Sequence, residues 1–336
     1  NYEEFKARVQ EELVDYLGAG YEDVRIEFVR TNKVNRSCDA IVLRDLPGMG
    51  NASPSVPTDS VFEQYEKTGD FEGVMSSLAE NIKDSITRFM ETPMGNGLNF
   101  DKVDEQVFFS LCNAEQNKEM LTNVPHRKFE DLAIIYRWNI ANNDEGLYTN
   151  IITNEFAEQI GKSEQELYDL ANENTKNIFP TTIRNMNDVI CDLMFGENLG
   201  DDEMKAEFED IVENTPDERA MYVISNKANM YGAASILYED KLHELAEKMD
   251  SDLYILPSSV HEVIAISDKF GNPEELAEMV YEINMDQVEL SDRLSNQVYH
   301  YDKDNRTLRL ASDSVNKSIA DQETKDISDK EMGKAR

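Results

Sequence analysis

Between Ala220 and Asp268 the chain reads AMYVISNKANMYGAASILYEDKLHELAEKMDSDLYILPSSVHEVIAISD. No other stretch constrains the fold as strongly. A short apolar run, Ala220 to Ile224, leads through a glycine-marked turn into a long amphipathic helical pattern. Apolar runs at Leu253 to Leu256 and Val260 to Ile266 follow, divided by Pro257-Ser258-Ser259. Short apolar runs bounded by turn residues predict strands, and a 3.6-residue apolar period between them predicts a helix. The order is strand, helix, strand, strand.

The rest of the chain reads as hairpins covered by helices. Tyr2 to Leu17 carries Phe5, Val9, Leu13 and Tyr16 at helical spacing and stops at Gly18. Tyr21 to Thr31 places Val24, Ile26 and Phe28 on one face, and it predicts a hairpin with Asp39 to Arg44 through a turn at Asn32 to Ser37. Asp45 to Asp59 reads as loop, and its GMGNAS lacks both the GK[ST] and the GxGxxG of phosphate loops. Ser60 to Lys67 and Asp70 to Met90 predict helices, the second striped by Phe71, Val74, Leu78, Ile82, Ile86 and Phe89. Val103 to Leu111 and Asp131 to Asn139 predict strands, and Val124 to Lys128 (VPHRK) a basic loop between them. Asn142 to Gly146 turns the second of these strands into Leu147 to Ile152.

From Thr153 the pattern becomes helical, with Ser163 and Glu166 as a capping box and Pro180 as an interruption. Further helices are expected at Met186 to Phe195 and Asp202 to Val212. Pro273 to Asn284 predicts a helix opened by its proline, and Gln297 to Asp302 with Thr307 to Leu310 a closing hairpin around KDNR. The expected fold class is α+β: mixed or antiparallel strands in hairpins, covered by amphipathic helices, with a helical segment near 153–214. The expected division is an N-terminal α+β region at 1–98, a main α+β domain at 99–311 and a polar tail at 312–336. A loose echo of hairpin and helix blocks divides the main domain into halves at 99–180 and 216–311.

Charge narrows the function classes. Thirty-three Lys and Arg face 68 Asp and Glu, a net charge of −35. No basic stripe exists to displace counterions from phosphates, so direct nucleic-acid binding is not expected, nor is attraction to an anionic membrane. A basic protein partner, steered in by long-range attraction, suits this surface. Cys38, Cys112 and Cys191 are widely separated in apolar contexts without CxxC spacing. Buried reduced thiols in a cytoplasmic protein are the expectation, and a structural zinc site is not. No apolar run reaches the length of a membrane span. The chain opens at Asn1 rather than Met, which leaves room for a leader ahead of it.

Few residues carry a chemical signature. His261 follows Pro257-Ser258-Ser259 and precedes Glu262, so Ser, His and Glu fall within five positions. Neighbours in an extended strand point to opposite faces, however, and no GxSxG elbow is present. His126 with Arg127 and Lys128 forms the second candidate, a loop suited to an anion. Asn226 and Tyr231 sit where hydrogen-bonded recognition of a ligand or a capped turn would place them. Neither HExxH nor DxDxDG occurs, so no metal site is expected, and no cofactor motif is present.

MYVISNKANMYGAASILY, SDLYILPSSVHEVIAI and VPHRKFEDLAIIYRW together resemble a family of uncharacterised proteins of gut Firmicutes, defined only as a domain of unknown function. They are more distantly similar to the YtpQ-like uncharacterised family of bacilli. In this chain the Pro-His adjacency of those proteins is interrupted, at Pro257-Ser258-Ser259-Val260-His261. The resemblance spans Val103 to Ala311 and implies a soluble bacterial cytoplasmic protein without an assigned activity. The leading expectation is a non-enzymatic cytoplasmic binding or regulatory protein with a strongly acidic surface. The alternatives are a hydrolase or transferase with a scattered site near His126 or His261, and an acidic mimic of nucleic acid. Oligomeric state is left open.

Overall fold

The computed structural model of the chain describes residues 1–47, 54–91, 100–143, 146–195 and 220–320. These fall into two compact units. The first comprises residues 1–103 and 139–149, and the second 104–138 and 150–336.

In the first unit, helix α1 (Tyr2–Leu17) starts from a capping box in which Asn1 and Glu4 satisfy each other's backbone N–H groups. Strands β1 (Arg25–Lys33), β2 (Arg36–Arg44) and β3 (Ser55–Pro57) form an antiparallel sheet in that order. Lys33 pairs with Arg36, so the hairpin turn is tighter than the polar run suggests, and Asn35 takes the left-handed conformation it needs (φ 61°). Helices α2 (Thr58–Thr68) and α3 (Phe71–Glu91) complete the unit. Phe5, Val9, Leu13 and Leu17 of α1 share one core with Ile41 and Leu43 of β2 and with Val74, Leu78 and Ile82 of α3. Phe5 stacks on Tyr65 and meets Phe62 and Phe71, and the Arg8 guanidinium lies 3.6 Å from the Phe71 ring centroid. The region read as loop from Asp45 to Asp59 holds β3 and the start of α2. Pro57 hid both, because proline argues against a strand except at an edge, and here it pairs with Ala40 on the edge strand.

The second unit opens with α4 (Val103–Gln106), which delays the first strand to β4 (Val107–Asn113). Helix α5 (Lys118–Leu121) leads to β5 (His126–Phe129), β6 (Leu132–Asn143) and β7 (Gly146–Ile151), of which residues 139–149 belong to the first unit. These strands form a sheet in the order β4-β6-β5, with β7 also on β6. The HRK of VPHRK thus lies on an edge strand rather than in a loop, registered by His126 opposite Ile135. Helices α6 (Asn154–Gln159) and α7 (Glu164–Ile178) follow, the latter capped by Ser163 and Glu166 as its sequence predicts. Strand β8 (Thr181–Asn185) interrupts the expected helical segment directly after Pro180 and precedes α8 (Met186–Phe195). The helix expected at Asp202 to Val212 lies outside the described residues.

The organising stretch supplies β9 (Tyr222–Asn226), a 3₁₀ turn at Gly232–Leu237, α9 (Glu239–Met249), β10 (Leu253–Leu256) and β11 (Val263–Ser267). The single long helix expected there is therefore divided at Tyr238. Helix α10 (Pro273–Gln287), β12 (Tyr299–Asp302) and β13 (Thr307–Leu310) complete a six-stranded sheet in the order β13-β12-β10-β11-β9-β8. Each of its pairings is antiparallel. Leu276, Ala277 and Val280 of α10 pack on Leu256, Ile266 and Val298. Of the segment 312–336, residues 312–320 are described, and they are tied to the residues before β12. Ser312 bonds Gln297 and the Val298 N–H, Asn296 donates to the carbonyls of Asn316 and Ser318, and Ile319 is fully buried.

Asp131, in the β5–β6 turn, joins the two sheets of this unit. Its Oδ2 accepts from Ser295 Oγ at 2.6 Å, and its Oδ1 accepts from the fully buried Tyr299 hydroxyl. Asn113 Nδ2 donates nearby to the Leu294 carbonyl at 3.2 Å. Burial raises the Asp131 carboxyl above the ordinary carboxylate range, against the pull of its two hydroxyl donors. The stability that this group contributes is therefore full below the ordinary carboxylate pKa and is lost as pH rises through the folded value. Asp131→Ala leaves two hydroxyls without an acceptor and should cost about 2–4 kcal/mol in urea unfolding. The penalty for Asp131→Asn relative to wild type should shrink as pH rises from acid to neutral, and a penalty that grew instead would contradict this assignment.

Candidate functional site

The end of β9 begins a polar turn. Asn226 Oδ1 accepts from the Ala228 N–H at 2.9 Å, and its Nδ2 donates to the Met230 carbonyl at 2.9 Å. Asn229 and Tyr231 both take left-handed backbone conformations (φ 51° and 57°). Such conformations are costly for a residue with a Cβ and are held by their surroundings. Gly232 then passes so close to β9 that a Cβ there would strike Ser225 Oγ and the His261 carbonyl, and would lie 2.8 Å from the Asn226 nitrogen. Ser225 Oγ donates to the His261 carbonyl at 2.8 Å, Ser235 Oγ to the Ser225 carbonyl at 3.0 Å, and Thr181 Oγ1 to Ser235 Oγ at 3.1 Å.

His261 lies just ahead of β11 rather than within it, and its Nδ1 is engaged while its Nε2 faces a carboxylate beyond hydrogen-bond distance. The Tyr231 N–H donates to Nδ1 at 3.3 Å, which places the ring proton on Nε2, 3.6 Å from Asp292 Oδ1. Ser259 Oγ accepts from the backbone N–H of His261 itself at 3.0 Å, and the Ser258 carbonyl accepts from Leu294. Neither serine hydroxyl is presented to an unoccupied imidazole nitrogen, which is the geometry that serine activation requires. Glu262 is more than half buried, and that burial raises its carboxyl above the ordinary range. The arrangement braces a turn and offers no nucleophile–base pair.

Behind Tyr231 lies Arg137, which sequence reading passed over. Its Nε donates to Ser110 Oγ at 3.0 Å, and its guanidinium stacks 4.2 Å from the Tyr231 ring centroid. Burial pushes the guanidinium below its usual value and the neighbouring Cys112 thiol up to about 12, so this cysteine stays protonated and inert. All three cysteines are buried and free. The signal was present: an arginine inside DLAIIYRWN, a run apolar on both faces.

His126 and Arg127 sit apart from this turn, on β5. The His126 Nδ1 faces the Val124 carbonyl at 2.8 Å. Arg127 spends its fork on Glu164, at 3.2 and 2.9 Å, and on Gln165, and lies over the Tyr168 ring at 3.7 Å. Its charge is thus neutralised by a carboxylate instead of facing an anion. A cleft of about 320 Å³ opens between α7 and α9, lined by Asn172, Lys176, Thr181, Tyr238 and Glu239 among others, with neither His126 nor His261 on its wall. The structure therefore gathers Asn226, Tyr231, Ser258, Ser259 and His261 in one region and leaves His126 and Arg127 elsewhere.

The outer face of α10 has a different character. Glu274, Glu278, Glu282 and Asp286 follow one another at four-residue steps, all exposed. Beside them run Glu275, Met279 and Ile283, the last two 45% and 44% exposed. Like charges at i, i+4 repel, each pair costing a few tenths of a kcal/mol in an isolated helix. Among the described residues, no ion pair relieves Glu278 or Glu282. The helix is anchored from within, where the fully buried Asn284 donates to the Ser295 carbonyl at 3.0 Å and to Asn296 Oδ1 at 2.7 Å. Its sequence, PEELAEMVYEINMDQ, already shows the acidic row, but the period that predicts the buried stripe draws attention away from the opposite face.

A model of a family of unknown function, DUF5688, matches residues 2–303. The chain belongs to that family. No curated protein matches it, and no solved structure matches it. The DUF5688 match takes in the first hundred residues as well as the region from Val103 onward. Among the described residues, no helix is long and apolar enough to cross a membrane. The close packing at Gly232 is a direct test of the turn described above. Gly232→Ala should lose about 1–3 kcal/mol in denaturant unfolding, whereas a neutral result would show that the turn gives way freely.

Proposed function

We propose that this DUF5688 protein is a non-catalytic binding protein, working in the cytoplasm, that docks a basic amphipathic protein segment on the outer face of α10. The observation that carries this reading is the acidic row beside Met279 and Ile283, whose central Glu278 and Glu282 have no ion pair among the described residues. Cations from a partner would relieve the repulsion along the row, and an apolar stripe on the partner would cover the two exposed side chains. Helix-in-groove partners are read at this spacing. The whole-chain charge of −35 adds attraction at long range. The occupied Nδ1 of His261 and the carboxylate-filled fork of Arg127 favour binding over turnover at the two turns.

The test uses a peptide with lysine and leucine at helical spacing, followed by fluorescence anisotropy. Wild type should bind it, with affinity falling steeply as salt is raised. The Glu278→Lys/Glu282→Lys double variant should bind at least tenfold more weakly, yet unfold no earlier, since Glu274 and Asp286 then face lysines. Glu11→Lys/Glu66→Lys, at exposed positions of the first unit, changes net charge equally and should bind as wild type does. Equal losses in the two double variants would mean that diffuse charge, not this face, holds the peptide.

A further inference from the structure

Three strands of the six-stranded sheet bring together an imidazole and two carboxylates. Asp252 immediately precedes β10, Asp268 immediately follows β11, and His300 lies on β12. Strand register pairs Leu253 with Ser267 and Tyr254 with His300. With side chains alternating along each strand, Asp252, Asp268 and His300 therefore emerge on one face, together with Tyr254. That is the face on which α10 packs. Among the described residues, they are the one group of three potential metal-ligand side chains whose ligand atoms all lie within 4.8 Å of one another.

The spacing is informative. His300 Nε2 stands 3.5 Å from Asp252 Oδ2 and 3.4 Å from Asp268 Oδ2. A charge-assisted N–H···O bond closes to about 2.7–2.9 Å, so the imidazole is drawn fully onto neither carboxylate. Ligand atoms on a tetrahedron with metal bonds of about 2.1 Å stand about 3.4 Å apart. Neighbouring groups already hold two of the three side chains, Asp252 and His300. The Lys303 N–H donates to the other oxygen of Asp252 at 3.0 Å, and a backbone bond from the Asp268 N–H to the Asp252 carbonyl, also 3.0 Å, fixes the two aspartates' main chains side by side. The Tyr254 ring packs against the His300 ring with centroids 5.6 Å apart. Such outer contacts fix ligand orientation in metal sites. Each of the three side chains remains about 30% exposed, His300 at 31% and the two aspartates at 29%, which leaves a path for an ion and room for water. Lys303 directs its ammonium to Asp250 and Glu247, and Lys269 directs its own to the Asp250 carbonyl, so neither points into the group.

We propose that Asp252, Asp268 and His300 bind one divalent transition-metal ion, of the zinc or manganese type, with water completing its coordination. Two carboxylates and a neutral imidazole match the charge of such an ion, and the mixed nitrogen and oxygen set suits borderline metals better than calcium. The three residues are scattered along the chain, so no spacing motif announces them, and His300 reads from sequence only as a residue on a sheet face.

The experiment is isothermal titration of the full chain, stripped with a chelator, with zinc chloride and separately with manganese chloride at physiological salt. One saturable site per chain is expected, with an unfolding temperature that rises with metal concentration. Asp268→Asn and His300→Gln should each weaken binding at least tenfold while melting as wild type does in chelator. As a readout independent of any variant, the imidazole nitrogen signals of wild type should show zinc shifting one of the four histidines, His300. No saturable site, or wild-type binding in both variants, or an unshifted His300 ring, would overturn the proposal and leave the ions to the diffuse acidic surface.

Discussion

A single half-buried carboxylate ties the second unit together. Asp131 sits in a turn of one sheet and takes its two hydrogen bonds from Ser295 and Tyr299, which belong to the approach and first residue of β12 in the other. A carboxylate withdrawn this far from solvent needs donors to replace its lost water. The position of the β5–β6 turn is therefore set by hydroxyls supplied from far along the chain. Phe129 stacks on the ring of the same tyrosine, with an interplanar angle of 4°, so apolar and polar contacts converge on one residue. The segment after β13 is held by Asn296 and Gln297 beside the same serine, which places residues 312–320 under the same constraint.

Much of this was legible in the sequence, and the reason is local. Helix α1, the β1–β2 hairpin, the Ser163 capping box and α10 each follow from period and cap chemistry within a few residues. What escaped reading depends on distant neighbours. Thr181 to Asn185 carries no strand period strong enough to compete with the helices around it, and it becomes β8 because β9 offers a ladder. His126 to Phe129 looks like a charged loop until β6 pairs with it. The helix expected after Gly232 stalls as a 3₁₀ turn, since GAAS packs tightly under the Ser225 and Ser235 hydrogen bonds. Of the candidate residues, those after β9 and β10 were found because polar turns between apolar runs stand out. Arg137 and the Asp252, Asp268 and His300 group did not, because their chemistry arises from strand pairing.

The acidic face of α10 shows how the molecule divides its stability. The inward side of this helix holds a buried asparagine with two partners and an apolar seam against the sheet. The outward side carries mutual repulsion that an ordinary surface helix would dilute with lysine. Strong anchoring below makes that repulsion tolerable above. The helix can thus present a feature that would unwind it in isolation.

The order of the six strands has one more consequence. An antiparallel sheet that does not close leaves two edges, and open edges are templates on which other chains can add strands. Here the edges are β13, four residues bearing Arg309, and β8, five residues bearing Arg184. Both are short and both carry a cation, which is how natural sheets resist edge-to-edge growth. Among the described residues, the six-stranded sheet thus limits edge-to-edge pairing by the same brevity that makes its outer strands hard to read.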